Sequence, residues 1–334
     1  PHVAGAFAVL KQRRPDANVT QSLHALTFSG QPITDTRNNV RKSRIRLDNA
    51  LNAVSVKRAP FDYDGDGRAE IAVFRPANGT WYFQNSQTGD FGAQQFGLPT
   101  DLPAPADFDG DGKTDVAVFR AATGNWFVFN SATNSLSVAY FGTVGDLPVP
   151  ADFDGDMKAD FAVYRPAVGT WWVSQSSDNA VVARQFGIAE DKPTVGDFDG
   201  DGRADFAVFR PSNGNWYRLN SYTNLFVATQ FGVAEDRPVP ADYDGDGKAE
   251  IAVYRPSSGN WFMLKSSNGQ FASAQFGVAE DRPSPADFDG DGKADLTVFR
   301  PSNGTWYLLR TTAGFGGQQF GTDGDIPTPN AGVR

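Results

Sequence analysis

"DFDGDGKTD", residues 107–115, sets four carboxylates in nine positions and spaces them with glycines. Near-copies start at Asp62, Asp152, Asp197, Asp242 and Asp287, so the first acid recurs every 45 residues. A tryptophan keeps the same step (Trp81, Trp126, Trp171, Trp216, Trp261, Trp306), and so does an arginine (Arg75, Arg120, Arg165, Arg210, Arg255, Arg300). Trp172 alone among the repeat tryptophans stands off the ladder. A period of this size belongs to repeat architectures, in which each unit buries its apolar faces against its neighbours.

Each unit reads as four short strands. In the second, "LPAPADF" (102–108) leads into the acidic loop and "VAVFR" (116–120) follows it. The turn "AATGN" connects to "WFVFN" (126–130), and the fourth strand ends at Phe141-Gly142. Strands two and three are apolar on both faces, which suits a sheet held between neighbouring sheets. Four-stranded units of this length predict an all-β fold, a six-bladed β-propeller with a short α-helical segment at the N-terminal side. The repeats fill residues 56–329 and leave 330–334 as a tail. "DIPTP" (325–329) restarts the unit, either closing the ring against blade one or opening a seventh blade.

Composition narrows the chemistry. The 334 residues include no cysteine and two histidines, His2 and His24, so thiolate and histidine-built metal sites are not expected. No apolar run is long enough to span a membrane. Nucleic-acid binding lacks a basic run. The net charge of −9 conceals an uneven distribution, because 24 of the 39 acids sit in the six loops. One divalent cation in each would carry the sum to +3.

In each loop, carboxylates at positions 1, 3 and 5 turn inward together, and glycines at 4 and 6 let the backbone curl around them. Position 7 offers a carbonyl and position 9 a final carboxylate. The ligand sets are Asp62, Asp64, Asp66, Arg68 and Glu70; Asp107, Asp109, Asp111, Lys113 and Asp115; Asp152, Asp154, Asp156, Lys158 and Asp160; Asp197, Asp199, Asp201, Arg203 and Asp205; Asp242, Asp244, Asp246, Lys248 and Glu250; and Asp287, Asp289, Asp291, Lys293 and Asp295. Such oxygen cages have the size and hardness for Ca²⁺, up to six ions, and Mg²⁺ suits them less because it retains more water. Crowded acids without a cation are expected to raise one another's pKa. The loops are not EF-hands, since the twelfth position holds Val73 or Val118 where an EF-hand places its glutamate. Met157 replaces the glycine at position 6 of the third loop, so that site is expected to be strained, weaker, or rebuilt with Met157 turned outward. Chelation is expected to lower the melting temperature, and acid to act alike.

The D-x-D-G-D-G-x-x-[DE] loop, its leading strand and the closing Phe-Gly resemble the FG-GAP/VCBS-type calcium-binding propeller repeats of secreted bacterial proteins and integrin α-subunits. The resemblance covers about 270 residues. It implies that each loop joins the first and second strands of a blade and that Ca²⁺ rigidifies the hairpin.

Residues 1–55 lack the period. "VAGAFAVLKQRR" is an apolar helix pattern stopped by Pro15, and "NVTQSLHALTFSG" and "RIRLDNALNAV" offer two more helices. This segment is similar to the stretch of subtilisin-like serine proteases that follows the nucleophile, where G-T-S-M-A-x runs into P-H-V-A-G. The resemblance implies a C-terminal fragment of such a domain, with the serine upstream of Pro1. His2 matches that serine segment rather than the family's catalytic histidine. No hydrolysis is expected of this chain itself.

The laddered tryptophans are expected between blades, with sugar stacking as the other use. The arginines are expected to reach Asp101, Asp146, Asp191 and their counterparts. For function, the sequence suggests a secreted, extracellular binding or adhesion module following a protease domain, its partner a protein or glycan. Self-assembly into an oligomer or filament, and a processed tail of a serine endopeptidase, stand as alternatives.

Overall fold

The computed structural model describes residues 2–13, 22–23, 25–26, 31–35, 37, 40–44, 47, 50 and 59–328. Within 59–328, six four-stranded antiparallel sheets follow one another, each with its strands in spatial order one to four. In blade 2 these are Leu102–Pro103, Val116–Arg120, Asn125–Asn130 and Ser135–Tyr140. The tail beyond Asp325 resolves the open question of the ring. Ile326–Pro327 pairs with Ile71–Arg75, Ile326 opposite Phe74 and Pro327 opposite Val73, and so supplies the first strand of blade 1. The propeller therefore closes at six blades.

Burial explains the strand composition. The second strands are buried nearly throughout, as in Val116–Arg120, because each lies between two neighbouring blades. The fourth strands alternate between exposed and half-buried residues, as in Phe91–Gln95, and form the outer edge. The third strands differ from the expectation of two apolar faces. Trp126 and Val128 are buried while Phe127 and Phe129 are half-buried. Phe127 turns outward to lie under a guanidinium, with Arg120 Cζ 4.2 Å from its ring centroid.

The first strands are short except in blade 4. Those strands pair regularly over two residues, and Pro105, Pro150, Pro240 and Pro285 follow at positions where an N–H would face away from the second strand, with the backbone bonds on either side kept, as from Ala104 to Ala117 and from Asp115 to Ala106. Blade 4 has Val195 in that register, and its first strand runs the full length Lys192–Gly196.

All six laddered tryptophans have no exposed surface, and each indole N–H donates to the carbonyl of the closing Phe, as Trp126 does to Phe141 at 2.8 Å. They are core residues. The turn that follows requires glycine. Gly142 has φ +140, and a Cβ on it would come within 2.9 Å of Phe119.

The ladder of arginines also lands where expected. Arg120, Arg165 and Arg210 make two-pronged pairs with Asp101, Asp146 and Asp191, each through Nε and NH2. Arg255, Arg300 and Arg75 do the same with Asp236, Asp281 and Asp325. Trp172 finds its place here. It occupies the register of Phe127 and lies under Arg165, 5.4 Å from Cζ to the ring centroid.

Before the propeller, His2–Arg13 is helical, as expected. Gln31–Asp35 and Val40–Arg44 instead form a hairpin with Gln31 opposite Arg44, which the helical reading of this segment did not include. Ala6, Leu10, Ala25, Leu26 and Ala50 make a small core of their own. His24 and most of the two further expected helices lie outside the described residues.

Candidate metal centres

Each acidic loop joins the first and second strands of its blade, so all six lie on one rim of the ring. Position 1 organises the loop. Asp107 Oδ1 accepts from the Gly110 N–H at 2.6 Å and Oδ2 from the Gly112 N–H at 3.0 Å. Both glycines sit at positive φ, +84 and +93. Met157 holds the same conformation at φ +72, and its N–H makes the same bond to Asp152 Oδ2 at 2.7 Å. The third loop is thus strained and not rebuilt.

Position 9 ties the loop to its blade. Asp115 Oδ2 accepts from the Phe108 N–H at 2.8 Å, and Oδ1 from the Ser131 N–H at 2.7 Å. The Ser131 hydroxyl donates to Asp111 at 3.0 Å. Ser131 stands in the turn between strands three and four, a residue the motif reading overlooked. The repeat held the signal, since Ser86, Ser131, Ser176, Ser221, Ser266 and Thr311 keep the 45-residue step.

The loops are also joined around the ring. Thr114 N–H donates to the Asp62 carbonyl at 2.6 Å, and Ala159, Ala204, Ala249 and Ala294 repeat the bond to Asp107, Asp152, Asp197 and Asp242 at 2.7 Å. Side chains follow the same path. Lys113 lies so close over Gly65 that a Cβ there would come within 2.7 Å of it, and Lys158 covers Gly110 in the same way. The position-7 lysines thus lay their aliphatic stems over the preceding loop, while their backbone N–H groups hold the position-5 acid of their own, as Lys113 does Asp111 at 2.8 Å.

Convergence differs between loops. Asp62, Asp64, Asp66 and Glu70 bring one oxygen each within 4.8 Å of one another, and Asp242, Asp244, Asp246 and Glu250 do likewise. In blades 2 and 4 the gathered acids are Asp107, Asp109 and Asp115, and Asp197, Asp199 and Asp205, with Asp111 and Asp201 outside the cluster. In blade 3 they are Asp152, Asp154 and Asp156, without Asp160. Blades 1 and 5 are the two with glutamate at position 9, whose extra methylene extends the carboxylate's reach. In blade 6, Asp287 is capped by Gly290 and Gly292, Asp295 by Phe288 and Thr311, and Asp291 by the Thr311 hydroxyl.

The residues fit a hard divalent cation. Asp244 Oδ1 and Asp289 Oδ1 are buried and have no hydrogen-bond partner, although carboxylate oxygens are costly to bury unpaired. Burial also pushes position-9 and position-1 acids upward: Glu70 to about 8, Asp152 and Asp205 to about 7, and Asp115, Asp160, Asp197 and Asp295 to about 6. Loss of water is the larger cause, and repulsion between neighbouring acids, the cause expected from the sequence, adds less. A bound cation would reverse both effects. The loops offer oxygen ligands for coordination.

The model of FG-GAP-like repeats matches residues 62–118, 197–253 and 242–298. The chain is a six-bladed β-propeller, and these stretches of it are FG-GAP-like repeats. Among solved structures, a lectin of Agrocybe aegerita described as recognising non-reducing terminal N-acetylglucosamine is similar at 17% identity, over 79% of this chain and 83% of that one, with a TM-score of 0.50. A functionally unknown protein from Desulfotomaculum acetoxidans DSM 771 aligns at 13% identity over the same shares with a TM-score of 0.50. A virginiamycin B lyase from Staphylococcus aureus aligns at 8% identity over 75% and 84% with a TM-score of 0.49. At these identities the likeness to the first two is one of fold. No curated protein matches the chain. Among the described residues no helix is long and apolar enough to cross a membrane.

Proposed function

We propose that this chain is a secreted binding or adhesion module whose propeller is stapled by Ca²⁺ in its six acidic loops, following a subtilisin-like protease domain. The observation that carries the calcium reading is the pair of buried, unpartnered oxygens on Asp244 and Asp289, in loops whose position-1 and position-9 carboxylates are held by backbone N–H groups. A cation supplies the charge those oxygens lack. With it bound, the position-1 and position-9 acids hold both ends of each hairpin, and the Thr114–Asp62 type of bond passes that rigidity to the next blade. Calcium in this reading is structural, with the modest affinity of extracellular modules.

The binding reading draws on the opposite rim. There the turns after each Phe-Gly expose Leu98, Val144, Ile188, Val233 and Val278 between the arginine–aspartate pairs, a mixed apolar and polar surface suited to an extracellular protein or glycan. The bacterial, secreted origin and the protease linkage rest on the resemblance of the first 55 residues. A second reading, an assembly unit, is favoured by the outer-edge residues Phe91, Phe271 and Phe315, each more than 60% exposed. Calorimetric titration of chelator-stripped protein tests the calcium role. Binding to arrays of glycans and matrix proteins tests the module role, and sedimentation at high concentration tests assembly. No calcium heat, no array ligand and a monomer at all concentrations would overturn these readings in turn.

A further inference from the structure

The first strands surround the axis of the ring, and the residue that opens each of them divides the mouth of the channel in two. In blades 1, 2 and 3 this residue is Ile326, Leu102 or Leu147, and in blades 4, 5 and 6 it is Lys192, Arg237 or Arg282. The three cations thus stand in consecutive blades, half-buried, on the rim opposite the acidic loops. The other half of the mouth is apolar. Each cation reaches the turn that leads into the following blade. Lys192 Nζ donates to the Asp236 carbonyl at 3.0 Å, Arg237 Nη1 to that of Asp281 at 3.0 Å, and Arg282 Nη1 to that of Asp325 at 2.8 Å. Each accepting aspartate immediately precedes the next opening residue, so the ammonium of Lys192 lies beside the backbone of Arg237, and the guanidinium of Arg237 beside that of Arg282.

A carbonyl is a neutral partner and leaves the positive charge standing. The carboxylates of Asp236, Asp281 and Asp325 are already held in two-pronged pairs by Arg255, Arg300 and Arg75. The glutamates of the same turns, Glu190, Glu235 and Glu280, accept from the hydroxyls of Ser212, Ser257 and Ser302, which lie further from the axis in the turns between second and third strands. Among the described residues none of the three cations forms an ion pair. Loss of water and the neighbouring Arg237 both push the Lys192 ammonium down from its ordinary value. After one bond to a carbonyl each of these side chains keeps most of its donors for a ligand.

We propose that this mouth is a docking site for an acidic peptide segment of a partner protein, with carboxylates on Lys192, Arg237 and Arg282 and apolar side chains against Leu102, Leu147 and Ile326. The proposal rests on the binding-module reading and gives that rim a partner of defined chemistry. Charge complementarity selects an anion. The apolar half selects a peptide over an acidic glycan, because neither the opening residues nor the turns before them contain an aromatic side chain on which a sugar could stack.

The test is fluorescence anisotropy with the full chain titrated into a labelled peptide of glutamate, leucine and glycine, into its glutamine counterpart, and into labelled heparin. Leucine already opens the first strand in blades 2 and 3, so Lys192→Leu, Arg237→Leu and Arg282→Leu keep the packing. The glutamate peptide should bind, more weakly as salt is raised, and the glutamine peptide should not. Each single substitution should weaken binding by about three- to fivefold, as for a partly exposed charge pair, and the triple by about 30- to 100-fold. Arg184→Leu, on the exposed fourth strand of blade 3, should leave it unchanged. Leu147→Lys extends the cationic arc by one blade and should tighten binding by about three- to fivefold. No binding of the glutamate peptide, equal binding of the glutamine peptide, or undiminished affinity in the triple variant overturns the site. Heparin held through the same three residues, with the peptide unbound, overturns the choice of a peptide. An array protein that binds wild type and triple variant alike overturns this site and leaves the binding-module reading standing. An array without ligands sinks that reading, and the peptide titration still decides the site.

Discussion

The Ala69 N–H donates to the carbonyl of Asp287 at 2.7 Å, joining the loop of blade 1 to that of blade 6 across the closure of the ring. With its five counterparts this bond makes the acidic loops one circle. A change in any loop therefore acts on its neighbours as well as on its own blade.

Arg165 holds Asp146 through two prongs, and the Asp146 side chain has no exposed surface. Arg165→Ala leaves that carboxylate buried and uncompensated and should cost about 3–5 kcal/mol of stability. Adding Asp146→Asn should recover part of the loss. Denaturant unfolding of the single and double variants measures both.

Trp171 is fully buried and donates to the Phe186 carbonyl at 2.9 Å. Trp171→Ala should destabilise by about 3–5 kcal/mol through the cavity it leaves. Trp171→Phe should cost less, about 1–3 kcal/mol, chiefly for the unpaired carbonyl. Urea melts followed by the remaining tryptophans' fluorescence distinguish the two.

Met157 holds φ +72, a conformation costly for a residue with a side chain. Met157→Gly should stabilise the chain by about 1 kcal/mol and tighten calcium binding at the third loop. Thermal unfolding with and without calcium reads both effects, and an unchanged melting temperature would place the strain elsewhere.

The raised acids set the direction of a pH dependence. An acid whose pKa is higher folded than unfolded binds protons more tightly in the native state, so folding loses stability as pH rises between the two values. Unfolded carboxylates titrate near 4, while Glu70 is pushed up to about 8 and Asp152 and Asp205 to about 7. Metal-free protein should therefore melt lower as pH goes from about 4 to about 8. The gain from added Ca²⁺, which needs the ionised loops, should grow over the same window. Acid thus differs from a chelator, contrary to the expectation from sequence, because it discharges the loops as well as emptying them.

Much of this was legible in the chain because a period amplifies weak signals. A lone Asp/Gly turn is ambiguous, but six at a fixed spacing defined the blades, and the arginine ladder pointed to its aspartates. What escaped was contact between units. The Thr114–Asp62 bond joins residues 52 apart through backbone atoms, which no residue type marks. Trp172 looked like a stray until Arg165 was seen above it. Arg218 breaks an apolar register, and that departure was visible in the repeat, but the Phe198 ring beneath its guanidinium was not. The longer first strand of blade 4, Lys192–Gly196, coincides with Val195 standing where four other blades have a proline.

The central claim is that the acidic loops are metal staples of the ring. Thermal unfolding near neutral pH, with the protein stripped by a chelator and then given excess Ca²⁺, tests it most directly. The account predicts a melting temperature that rises with Ca²⁺ concentration and falls again when chelator is restored. A curve that stays in place across the whole calcium range would contradict it.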